Sequence, residues 1–206
     1  RADTPNERPR VAVIGCGGQG TGDGRRATNY GDIVAVCDVD TSHSAYAKAA
    51  YTRRMATPGR AVKIDVYDDY RAIIDRADID AISCGTVDHW HVKISAEALK
   101  SGKDVYCEKP LTLTVDEGRI ISKVAQETDR ILQVGTQQRS DPRFLQAVAI
   151  AHSGRLGKIK KVTVGLNHNP FSKPLPAVAP PKTLNWERWK GPTEDVPYRF
   201  LKNGKD

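Results

Sequence analysis

Short apolar runs alternate with longer stretches of helical character through the first two-thirds of the chain. Val11-Ala12-Val13-Ile14 is closed by glycines, and Ile33-Val34-Ala35-Val36-Cys37 is closed by Asp38. Further runs lie at Lys63–Val66, Ala81–Cys84, Asp104–Cys107 and Ile131–Val134. Runs this short, bounded by turn residues, are the mark of strands buried on both faces. Between them the spacing and composition predict helices over residues 20–31, 43–56, 69–75 and 93–101, the last stopped by Gly102. Thr114 followed by Glu117 is a capping-box pattern, so a helix is expected from there to about Thr128. Strand and helix alternating in this way predict an α/β fold: a doubly wound, mostly parallel sheet covered on both faces.

The texture changes after Gly135. A helix is expected over Asp141–His152 with Pro142 at its first position, then a lone strand over Lys160–Leu166. Residues 170–181 hold five prolines and read as an irregular loop. The tail carries Trp186 and Trp189 and ends in polar residues. One strand without a sequence-adjacent partner is not a domain. The division expected is therefore a polar leader over 1–10, a complete domain over 11–137, and an incomplete α+β domain begun by 138–206. The first residue is Arg1, so the visible start is not read as a translation start, and a removed export signal would leave no trace.

Composition narrows the function. At ~100–200 residues per domain, a chain of 206 residues is one large domain or one domain and part of another. Its apolar stretches of about five residues fall far short of the ~20 that a spanning helix needs, which excludes membrane insertion by a helix. Charge is +7, but the basic residues come as scattered pairs such as Arg25-Arg26, Arg53-Arg54 and Lys160-Lys161. With no basic block and no RNA-binding aromatic pattern, a nucleic-acid partner is not expected.

The chemistry begins at Gly15-Cys16-Gly17-Gly18-Gln19-Gly20, a G-x-G-x-x-G pattern between the first strand and the first helix. In that context Gly15 permits the tight turn, Gly17 lets a pyrophosphate approach the backbone, and Gly20 lets helix and strand pack closely. Gly18 and Gln19 open the helix, whose free N–H groups face the phosphates. Asp38 ends the second strand, 18 residues beyond Gly20. A carboxylate there accepts hydrogen bonds from adenine-ribose hydroxyls and repels a 2′-phosphate. Val39-Asp40-Thr41-Ser42 supplies no cation to offset that repulsion, so NAD is expected over NADP. A bland reading of Asp38 as a helix cap stands beside this one.

The fourth strand runs into Gly85-Thr86-Val87-Asp88-His89-Trp90-His91, at the end of the sheet where ligands bind. Thr86, Asp88 and His91 are expected to face the cleft. The His-x-His pair lacks a visible third ligand, so no metal is expected. The fifth strand ends Cys107-Glu108-Lys109-Pro110, and Lys109 is a candidate for proton transfer, its pKa lowered by partial burial and a cationic ring nearby. Pro110 fixes the turn and is able to be cis. Chemistry alone leaves Lys109 equally readable as a surface lysine in an ordinary turn.

Together with Gly135-Thr136-Gln137-Gln138-Arg139, these segments resemble the Gfo/Idh/MocA oxidoreductases, and the resemblance extends over essentially the whole chain. Asn185-Trp186-Glu187-Arg188-Trp189-Lys190-Gly191-Pro192 is similar to a large bacterial branch whose members often carry twin-arginine export signals. The resemblance leaves a cytoplasmic or periplasmic location open. It implies an N-terminal Rossmann domain, a C-terminal domain on an open sheet, homo-oligomers, and NAD(P)-linked hydride transfer with sugars, inositols or related polyols. It implies further that Lys109 sits beside the nicotinamide and the reacting hydroxyl, Glu108 and His91 near the nicotinamide ribose, and Gln137 near the ring. Val87 stands where the family usually has Pro. The family's Asp-x-x-x-His pair does not occur in 138–206, so the chain is expected to be the cofactor half, binding NAD without turning over sugar. The same residues serve an NAD-using glycosidase or a non-catalytic NAD(H)-binding module, and both remain alternatives.

Overall fold

The computed structural model describes residues 8–59, 61–165 and 174–200. Six strands form one sheet: β1 Arg10–Ile14, β2 Asp32–Cys37, β3 Asp65–Tyr67, β4 Ala81–Cys84, β5 Asp104–Cys107 and β6 Leu132–Val134. Every pairing is parallel, and the order is β3-β2-β1-β4-β5-β6. Helices α1 Gly18–Ala27, α2 Thr41–Met55, α3 Arg71–Ile74, α4 His91–Lys100 and α5 Val115–Thr128 make the crossovers. The chain winds outward from β1 in one direction and restarts at β4, so the topological switch lies between those two strands.

Alternation along β1 divides the core. Val11 and Val13 enter a cluster with Ile33, Val36, Ala47, Tyr51 and Met55. Ala12 and Ile14 face the other way, into a cluster with Ile82, Leu99, Val105, Ile121 and Val124. Both faces of the central strands are thus apolar, which is why their sequence reads as continuous runs rather than as alternation. The capping box forms as expected: the Thr114 hydroxyl accepts from Glu117 N–H at 3.2 Å, and the Glu117 carboxylate accepts from Thr114 N–H at 3.2 Å.

Several boundaries move. The first helix occupies Gly18–Ala27 rather than 20–31, because it starts directly on the glycine loop. Residues 8–10 are not a frayed leader. Arg8 donates to Asp32 at 2.9 Å and to the Thr28 carbonyl at 2.6 Å, and Arg10 is already in β1. Residues 1–7 lie outside the described residues. The third strand shifts to Asp65–Tyr67, where it pairs with Ala35–Cys37. The strand expected over Lys160–Leu166 does not form across 160–165, since no neighbour among the described residues offers it a ladder; Leu166 lies outside them.

The described residues group into two compact units. One runs to Gly135 and includes Pro180–Val196 with the short helix α7, Trp186–Lys190; the other comprises Thr136–Ala179 and continues from Pro197. A division at residue 137 takes no account of Pro180–Val196, which lie with the sheet. The second unit contains α6, Pro142–His152, capped by the Asp141 carboxylate with Pro142 at its first position as expected. It also contains a bridge between Ala177 and Arg199. No described helix is long and apolar enough to cross a membrane.

Candidate nucleotide site

The glycine loop joins β1 to α1 at the switch point. Gly15 has φ +83°, and a Cβ there would lie 2.5 Å from Thr86 N. A Cβ on Gly20 would overlap the carbonyl oxygen of Gly15, and one on Gly85 would lie 2.6 Å from Gly20 Cα. Loop, helix and the end of β4 therefore touch backbone to backbone. Gly17 and Gly18 differ: nothing lies within 4 Å of a Cβ at either position. Gly17 caps α1 with no side-chain hydrogen bond, and the first turn holds no acidic residue. Open space over an uncapped helix N-terminus fits an anion held by backbone N–H groups.

Asp38 fixes this loop. Its carboxylate accepts Cys16 N–H at 2.6 Å on one oxygen and Asp40 N–H at 2.8 Å on the other, with a side chain only 10% exposed. Each oxygen keeps a lone pair for a further donor, as a ribose diol requires. The cap of α2 is Asp40, which accepts Ser42 N–H, so Asp38 is not the helix cap. His43 Nδ1 lies 3.7 Å from Asp38, a neighbour that the sequence reading did not include.

A second unforeseen group is Asp23, buried on α1. Gln19 Nε2 donates to both Asp23 oxygens at 3.2 Å and to Glu108 Oε1 at 3.1 Å. Glu108 is 3% exposed; it also accepts Lys109 N–H at 3.1 Å and the Tyr106 hydroxyl at 3.3 Å. Burial, then the neighbouring Glu108 carboxylate, push the Asp23 pKa up to about 6, against the pull of Gln19 and Arg26. The available signal was an acid among the small buried residues Gly20, Thr21 and Gly24 of one helix face.

A raised folded-state pKa means that the native state binds the proton more tightly, so this stability is present below about pH 4 and lost as pH rises through about 6. Asp23→Asn removes the titration. The stability of the variant relative to the parent should rise between about pH 4 and 7, because the unfolded parent releases this proton before the folded one does. Urea unfolding at several pH values checks this, and a flat difference would count against a proton held at Asp23.

Lys109 is exposed at the carboxyl end of β5 and precedes a cis peptide bond to Pro110. The partial burial expected for it is not seen, since the turn carries it outward from the buried Glu108. His91 is placed differently from the expectation as well. It is 1% exposed, with Nδ1 2.7 Å from the Pro110 carbonyl and Nε2 3.0 Å from that of Thr86. It ties the β4 loop to the Lys109-Pro110 turn, with each ring nitrogen against a backbone carbonyl. Thr86 is half-buried beside Gly15, and Asp88 is exposed at the start of the 3-10 turn Asp88–Trp90. Gln137 opens the 3-10 turn Gln137–Ser140 in the other unit. The four cysteines are buried and free.

Residues 9–136 match the Gfo/Idh/MocA oxidoreductase family, NAD-binding Rossmann fold. The chain belongs to this family. Inositol 2-dehydrogenase from Klebsiella pneumoniae is 33% identical over 153 residues, 72% of this chain and 42% of that protein. The crystal structure of myo-inositol 2-dehydrogenase from Lactobacillus plantarum aligns with TM-score 0.64 and 29% identity, covering 74% of this chain and 43% of that one. The scyllo-inositol dehydrogenase of Lactobacillus casei, solved with NAD(H) and scyllo-inositol, shares the fold at TM-score 0.62 and 22% identity, over 73% of this chain and 43% of that one. The chain thus spans less than half the length of the relatives it matches. The matched residues include the glycine loop, the N-terminus of α1 and Asp38, and the open space over Gly17 leaves room for the pyrophosphate of a dinucleotide.

Proposed function

We propose that the protein is an NAD-dependent oxidoreductase acting on a polyol of the inositol or sugar class. The observation that carries this reading is the open glycine loop at the uncapped N-terminus of α1, with Asp38 fixed beside it, and the Gln19–Glu108 hydrogen bond links that helix to the turn presenting Lys109. Gly15, Gly17, Gly18, Gln19 and Gly20 would hold the pyrophosphate, Asp38 the adenosine ribose, and Thr86 and Asp88 would line the cleft. Glu108 anchors the turn and His91 braces it. Lys109, exposed at the sheet's carboxyl end, exchanges the proton of the substrate hydroxyl. When bound, NAD supplies the hydride acceptor, and its reduction gives the assay.

The test is NADH formation by the full-length protein on myo-inositol, scyllo-inositol and aldoses. Absence of NADH with any of them, together with release of aglycone from a glycoside, would select the glycosidase alternative. Asp38→Ala should weaken NAD binding about tenfold, or ~1.4 kcal/mol, and narrow the preference for NAD over NADP. A parent protein that prefers NADP in titration would contradict the role given to Asp38.

A further inference from the structure

Pro180–Val196 returns across the carboxyl end of the sheet. Asn185 N–H donates to the Val39 carbonyl and Thr41 N–H to the Thr183 carbonyl, both at 2.9 Å, while Leu184 pairs with Asp40 in an antiparallel bridge. Arg188 donates to the Asp68 carbonyl at 2.9 Å and pairs with its carboxylate at 2.8 Å. The Trp189 carbonyl accepts the Trp90 indole N–H at 3.1 Å and lies 2.8 Å from His89 Nε2. Trp189 also meets the His89 ring edge-on at 5.4 Å and stacks on Trp186 at 4.7 Å. Gly191, at φ +54°, passes so close to Trp90 that a Cβ there would overlap the indole.

These anchors share a geometry. Within the order β3-β2-β1-β4, strands β2 and β4 flank β1, so the loops after β2 and β4 are opposite walls of the crevice above the glycine loop. The segment is fastened to the first wall at Val39, Asp40 and Thr41, directly after Asp38, and to the second at His89 and Trp90. A strap tied to both walls sets their separation, and a slot held at its bound width forgoes an ordering cost on binding.

We propose that Pro180–Val196 is a brace that sets the width of the adenosine slot and the position of Asp38. It thereby determines affinity for the ADP-ribosyl half of the dinucleotide and leaves the nicotinamide half alone. This rests on the NAD-binding assignment above. Asp38 makes the contact; the strap residues are positioning residues acting through the Val39–Thr41 and His89–Trp90 loops.

The test uses Gly191→Ala, which forces the strap from Trp90. Asn185→Ala and Arg188→Met accompany it; the first removes the carbonyl that accepts Arg188 N–H and caps α7, the second the tie to Asp68. Calorimetric titration with NAD, ADP-ribose and nicotinamide mononucleotide is paired with thermal unfolding of each variant. Gly191→Ala should weaken NAD and ADP-ribose equally, by about tenfold (~1.4 kcal/mol), with nicotinamide mononucleotide unchanged. The other two should lose less, in the same two ligands. A strap that serves packing alone would lower the melting temperature while ADP-ribose affinity stayed at the parent value, and that result overturns the proposal. If Gly191→Ala does not fold, unchanged ADP-ribose affinity in both remaining variants overturns it equally. A parent protein that binds neither NAD nor ADP-ribose refutes the cofactor assignment itself, and the brace falls with it.

Discussion

Gly20→Ala is expected to abolish NAD binding and to cost the fold about 3 kcal/mol or more, at the upper end of what overpacking a close contact costs. The added methyl would overlap the Gly15 carbonyl oxygen and approach the Gly85 oxygen at 3.3 Å, both of them backbone atoms. No rotamer change can relieve a clash between a Cβ, fixed by its own backbone, and main-chain atoms. Relief requires α1 to move away from β1 and β4, and that motion would lift the helix N-terminus from the position proposed for its contact with a phosphate. Gly17→Ala is the matched control, because nothing lies within 4 Å of a Cβ there. It should cost no more than about 1 kcal/mol, the scale of an altered N-cap. Its methyl would nevertheless occupy the space a pyrophosphate needs. Chemical denaturation and NAD titration of the two variants separate fold from ligand: Gly20→Ala loses both, Gly17→Ala only binding. Parent-like NAD affinity in Gly17→Ala would remove the dinucleotide from this loop.

The sheet was legible because its central strands are buried on both faces. Val11–Ile14 and Ile33–Cys37 must be apolar at every position, and such runs stand out between polar helices. Thr114 and Glu117 were legible because a capping box is local, three residues apart. What escaped depends on contacts between distant positions. The Gln19–Glu108 bond spans 89 residues, and nothing near Gln19 marks it as a partner of the β5 turn. His91 looked like a ligand-facing group because strand-end polar residues usually are. The carbonyls of Thr86 and Pro110 that hold it become neighbours only once β4 and β5 are side by side. The Lys160–Leu166 alternation was present in the sequence, but alternation says which face a strand would bury, not that another strand is there to pair with it. Trp186 and Trp189 were visible as residues without an assigned purpose; their place over the β2 and β4 loops follows from tertiary contacts alone.

Lys109→Ala is expected to lower turnover of the full-length protein by roughly 10²–10⁴-fold, the range for loss of a positioned acid–base group. NAD affinity and stability should be almost unchanged. Lys109 is exposed, so removing its side chain leaves no cavity and no buried partner unsatisfied, and the stability change should stay within about 0.5 kcal/mol. Its backbone N–H, which holds Glu108 at 3.1 Å, survives the substitution and keeps the turn in register with Gln19. The two effects therefore separate, which a structural lysine would not allow. Lys109→Arg sharpens the point. It keeps the positive charge but carries a guanidinium that does not give up its proton in proteins. If the charge alone polarised the hydroxyl, arginine would restore much of the rate; if Lys109 must take and return a proton, arginine should be nearly as slow as alanine. Single-turnover NADH formation measured across pH distinguishes these outcomes, because only proton exchange at Lys109 would remove an ionisation from the rate profile when the lysine is replaced. Turnover unchanged in Lys109→Ala would return the residue to an ordinary surface position and leave the proton transfer to a group elsewhere.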